Sequence, residues 1–173
     1  MTPQEISKLL QKTDIFLAWK QAHPSGFLTH FFVPATSAGE LKSDWEIGFY
    51  DPQQEKITTF VQEGEHFWQK PEDEVFKKPT DTIVPLHLQE VSLSYEEAMA
   101  ICQKTIKEKF SKEVAGDGFV ILQQLGLPLW NFTFLCRSLA FVNVKINAAS
   151  GAVHEHQRVE VVRKEQGADA PQL

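Results

Sequence analysis

The chain has 173 residues, with 17 Lys and Arg against 23 Asp and Glu, a formal net charge of -6 and a pI near 5.5. That length suits one ordinary domain or two small ones, and 42% hydrophobic residues, with 13 Phe and 4 Trp, supply the apolar area that a disordered chain lacks. Residues 1–88 carry 8 basic and 13 acidic groups and residues 89–173 carry 9 and 10, so neither half offers the clustered cations that nucleic acid or an anionic membrane surface requires.

In chain order, Thr2, Pro3 and Glu5 form an N-cap, a first-turn proline and a capping-box acid. Ile6, Leu9, Leu10, Thr13, Phe16 and Leu17 then recur at helical spacing, which predicts one helix over about 3–19. The same opening lacks a basic region followed by an apolar run, so it does not read as a secretory signal, and the chain as it stands reads as cytoplasmic. No apolar run approaches the roughly 18–20 residues that span a bilayer. FLTHFFVPA at 27–35 and DWEIGFYD at 44–51 predict strands, with DPQQEK at 51–56 as a turn before ITTFVQE. Residues 69–85 carry the charges and prolines of a linker, on which Phe76, Ile83 and Val84 are expected to pack and Glu72, Asp73 and Glu74 to be solvated.

The second half repeats the grammar. Ser94 and Glu97 form another capping box, predicting a helix over about 95–111 with Cys102 on its apolar stripe. Strands follow at 118–124, 129–136, 140–147 and 152–162, with Asn147 to Gly151 as the last turn, and the tail QGADAPQL is too polar to hold an element. Cys102 and Cys136 form neither a metal-ligand pair nor a disulfide framework and read as buried free thiols. The expectation is an α+β fold of tandem small modules, 1–88 and 89–173, each a helix packed on a short antiparallel sheet and joined through apolar surfaces.

From Trp130 onward, WNFTFLCRSLAFVNVKINAASGAVHEHQ resembles the PepSY family, which ends in a strand with an aromatic start, a second strand, an Asx-x-x-[ST]-G turn and a closing strand. Asn147 stands where that family commonly has aspartate, and with the preceding helix the resemblance covers most of 94–163. The first half, with Asp51 to Lys56 in place of the glycine turn, is similar to a divergent second copy. Such domains occur in propeptides of secreted peptidases and in extracytoplasmic or membrane-associated proteins. The resemblance implies a noncatalytic interaction module, with peptidase inhibition as an alternative, and transfers no functional residue.

No metalloprotease, nucleophile-elbow, phosphate-loop or dinucleotide motif is present, so no catalytic residue, cofactor or metal is assigned. His23, His30, His66 and His87 are scattered, and none is chosen as a general base. Alternation places His154 and His156 on one strand face, a geometry open to a metal or a pH-responsive contact but typical of a solvated face. Trp45 and Trp130 are assigned to packing. Trp19 and Trp68, with His154 and His156, make up the candidate interaction surface, because aromatic anchors carry many interfaces. The function expected is recognition of a protein or peptide, with a small-ligand pocket between helix and sheet layers as a further alternative.

Overall fold

The computed structural model describes residues 1–74 and 82–161, and the side chains of 73 and 74 are not described; Phe76 and the predicted frayed tail lie outside the described residues. The chain runs α1 (Pro3–Leu10), α2 (Asp14–Ala22), β1 (Phe27–Thr36), β2 (Glu46–Asp51), β3 (Lys56–Glu63), β4 (His66–Gln69), β5 (Asp73–Glu74), a 3-10 turn (Leu88–Glu90), α3 (Tyr95–Lys109), β6 (Ala115–Leu125), β7 (Leu127–Cys136), β8 (Ala140–Asn147) and β9 (Val153–Glu160). This is a mixed helix and sheet fold. Eight strands form one antiparallel sheet in the order β4-β3-β2-β1-β6-β7-β8-β9, and the short β5 pairs with the same flank of β3 as β4 does. No helix among the described residues is long and apolar enough to cross a membrane.

The predicted helix over 3–19 is two helices. Thr13 divides them: its hydroxyl donates to Leu10 O at 2.7 Å, closing α1, and accepts from Phe16 N at 3.3 Å, capping α2. A threonine that satisfies orphan groups on both sides stabilises a break without glycine or proline. Both predicted capping boxes form, with Glu5 receiving Thr2 N at 2.7 Å and Glu97 receiving Ser94 N at 2.8 Å.

Cross-strand partners share a face of the sheet, so the register identifies the core directly. Phe60, Ile47, Phe31, Leu122, Trp130 and Ile146 succeed one another across β3, β2, β1, β6, β7 and β8, all fully buried. The helices cover this face. Phe16 and Trp19 of α2 meet Phe49 and Phe60 at centroid distances of 5.1–5.9 Å, while Tyr95 of α3 reaches Trp45 and Trp130 at 5.8 and 6.2 Å. The halves therefore meet by backbone pairing of β1 with β6, where the sequence reading expected apolar surfaces to join them, because the alternating run at 27–36 exposes a full ladder edge to 117–123.

The turn at Asn147 forms as read. Its Oδ1 accepts from Ala149 N at 2.9 Å and Ser150 N at 3.2 Å, and Gly151 takes φ +80°, a conformation that a Cβ would strain. Cys102 and Cys136 are free and buried. Burial pushes the Cys102 thiol up to about 12 and raises that of Cys136 as well, with the Glu113 carboxylate adding to the second. Because the thiolate is the nucleophile, neither thiol should react with a disulfide reagent at pH 8 in the native chain, and both should react once urea unfolds it. Stoichiometric labelling without denaturant would contradict this burial.

Candidate functional site

The sequence-derived surface residues do not converge. Trp19 is in the core at 4% exposure, stacked on His23 at 5.2 Å and donating its indole N–H to Thr58 Oγ1 at 2.9 Å. The correction follows from the helix break, which turns α2 so that Phe16 and Trp19 point into the sheet. Trp68 is 44% exposed on β4, opposite Val61, at one margin of the sheet. His154 and His156 lie on β9 at the other margin.

At β9, an extra residue opposite Lys145 and Ile146 makes a bulge that includes His154 and interrupts the alternation used to pair the two histidines. His156 pairs with Val144, which faces the helices, and its ring meets Phe110 edge-on at 5.9 Å. Two positions on, Arg158 Nε contacts Glu113 Oε1 at 2.5 Å, and Ser138 Oγ donates to Glu113 Oε2 at 2.6 Å. The Ser138 hydroxyl and then the Arg158 guanidinium hold the Glu113 carboxyl below the usual carboxylate range. Phe110 ends α3 and separates two open recesses of about 350 and 580 Å³ that flank this cluster; the smaller has Lys109, Lys112 and Arg158 on its rim.

All eight residues of β9 are exposed, and among the described residues only one flank of the strand is paired. Val161 N donates to Leu139 O at 3.0 Å, which fixes the phase of the ladder. Antiparallel strands alternate inward and outward backbone pairs. Residues 155, 157 and 159 therefore bond β8, while His156, Arg158 and Glu160 direct their N–H and C=O groups away from the sheet. The sequence marks β9 as a strand but does not reveal that it ends the sheet. Phe110, Glu113 and Ser138 carry no local signal, since each acquires its role from a partner 25 or more positions away.

A second polar cluster has a buried centre, His23 with Asp51, and an exposed rim. His23 Nδ1 lies 2.8 Å from Asp51 Oδ2 and its Nε2 lies 3.4 Å from Glu72 Oε1, while the other Glu72 oxygen, Oε2, faces Lys56 Nζ at 3.7 Å. Glu72 is exposed, as expected, and is also paired, because residues 73–74 add to β3 and bring the preceding residue over α2's end. The His23 contact and the Gln53 N–H, which Asp51 accepts at 2.8 Å, hold the Asp51 carboxyl below the usual range. No nucleophilic side chain completes this pair among the described residues, and no group of three or more His, Cys, Asp or Glu among them is arranged to hold a metal.

No protein-family model and no curated protein matches the chain. One solved structure is similar in fold. It is described as a "putative lipoprotein" from Clostridium difficile 630, is 11% identical, and aligns over 84% of this chain and 90% of its own with a TM-score of 0.52. At that identity the likeness concerns the fold.

Proposed function

We propose that the protein is a noncatalytic recognition module that binds an extended peptide by strand addition at β9. The observation that supports this most is the outer flank of β9, where the backbone donors and acceptors of His156, Arg158 and Glu160 have no partner among the described residues and lie beside a recess lined by Lys109 and Lys112. An added strand gains main-chain hydrogen bonds, and its alternate side chains are read by whatever lies on each face. On the helix side that surface is Phe110 with the two lysines, which suits an aromatic or acidic peptide residue.

The reading includes two PepSY-like units. Each half places a capped helix before an antiparallel meander, β1 to β4 and β6 to β9, and the mirrored strand order around the β1–β6 junction is what two related copies joined by their first strands would produce. In this view the second copy keeps the Asx turn and the long closing strand, and the first has the shorter β4 in the equivalent place.

The edge is tested by selecting peptides from a displayed library on the full chain and measuring their affinity by calorimetry for wild type and for His156→Pro. Proline at 156 removes an outward N–H and leaves the β8 ladder bonds in place. A selected peptide should bind His156→Pro about ten-fold or more weakly and slow exchange of the Arg158 and Glu160 amides. Equal affinity for the variant, or a library that yields no binder, would overturn the edge assignment. Titrating the protein into peptidase assays separates inhibition from simple binding.

A further inference from the structure

On the sheet face opposite the helices, a recess of about 240 Å³ opens where the chain rejoins the sheet after the linker. Its walls are Ile57 of β3, Ile83 and Val84, and its polar end is Thr29, His30 and Gln123. None of its lining residues carries a formal charge other than through His30 itself.

His30 sits here because of a glycine. It pairs with Gln123 on one side and with Gly48 on the other, and a Cβ on Gly48 would lie 2.1 Å from the ring's Cε1 and 2.7 Å from Nε2. The imidazole therefore occupies the space that a side chain at 48 would fill. Thr29 Oγ1 donates its one proton to Gly48 O at 3.0 Å, so toward His30 Nδ1, 2.8 Å away, it can only accept. The proton of the neutral ring is then on Nδ1. Burial lowers the His30 pKa, with the Glu46 carboxylate opposing, which keeps the ring neutral near pH 7. In that tautomer Nε2 is a bare acceptor, and it has no hydrogen-bond partner among the described residues.

We propose that this recess binds a small neutral molecule that presents one O–H or N–H donor on a flat apolar body, with the donor on His30 Nε2 and the body against Ile57, Ile83 and Val84. The volume exceeds the roughly 150 Å³ that holds a benzene-sized guest. The site lies on neither edge of the sheet, so it does not depend on peptide binding at β9.

Phenol is a suitable probe, with benzene as the same body lacking the donor. Long-range proton–nitrogen correlation spectra of the full chain should show His30 protonated at Nδ1, and phenol should move its Nε2 resonance saturably. Benzene should bind about ten-fold more weakly, the worth of one hydrogen bond to a buried acceptor. Val84 is 39% exposed, so Val84→Trp can fill the recess from its rim without disturbing the core and should abolish phenol binding. His30→Phe should remove the preference for phenol over benzene. A proton on Nε2, equal affinities for the two probes, or undiminished binding to Val84→Trp would each overturn the assignment.

Discussion

Trp130→Ala should lower the free energy of unfolding by about 3–5 kcal/mol, the range for truncating a large buried aromatic. Trp130 is fully buried, packs against Trp45, Tyr95 and Phe132 at 6.1–6.5 Å, and donates its indole N–H to Leu93 O at 3.2 Å. It also stands in the row of buried side chains between Leu122 and Ile146. The loss thus combines a cavity with an orphaned carbonyl at the entry to α3. Urea titration should show a lower midpoint with an unchanged slope, since the same surface is exposed on unfolding. A loss below about 1 kcal/mol would mean that the residue is not the keystone the row implies.

The second large effect is expected at Asp51, where alanine should cost about 3 kcal/mol. The substitution deprives the buried His23 of its 2.8 Å partner and leaves the Gln53 N–H uncapped at the β2–β3 turn. The pH dependence has a definite sign. Asp51 titrates lower in the folded chain than in the unfolded one, so its contribution is fully present above the unfolded value of about 3.9 and is lost as pH falls through the folded value. The stability difference between wild type and Asp51→Ala should accordingly be widest near neutral pH and narrow below about pH 4. A difference that stays constant to pH 2 would assign the stability to packing rather than to the ionised Asp51 carboxylate.

Periodicity and capping residues carried much of the fold. The strands at 27–36, 46–51, 127–136 and 140–147, both capping boxes and the Asn147 turn lie where alternation and turn chemistry put them. The break at Thr13 was hidden because threonine at that position also fits the helical stripe, and its capping role depends on which way the chain turns after Leu10. β4 was missed because four residues, HFWQ, give too short an alternation to stand above the charged stretch around them. The union of β1 with β6 had no local signature. A strand edge carries the same sequence whether it meets solvent or another strand, and only the placement of both helices on one face decides between them.

The candidate sites divide in the same way. His156 was legible as a residue, but its place two positions from Arg158, on a strand with no second neighbour among the described residues, is a property of the sheet. His23 and Asp51 are 28 positions apart, and His30 acquires its character from a glycine on the neighbouring strand. Trp19 was misplaced for the complementary reason, since an aromatic at a helix end looks exposed until the helix is seen to be two.

The β1–β6 junction also governs the order of events during synthesis. Its partners, from His30 with Gln123 to Thr36 with Asp117, are 93 to 81 positions apart, a separation that makes pairing slow relative to the local hairpins. While the ribosome is still producing α3, β1 already exists as an unfilled edge whose sequence, FLTHFFVPAT, is rich in phenylalanine. Pro34 does not guard that edge: its carbonyl accepts from Lys42 N at 2.9 Å, so its position without an N–H lies on the β2 flank, and the side that receives β6 keeps a full set of donors. The interval before residue 125 emerges is therefore the period in which this protein is most exposed to misassembly with its own copies.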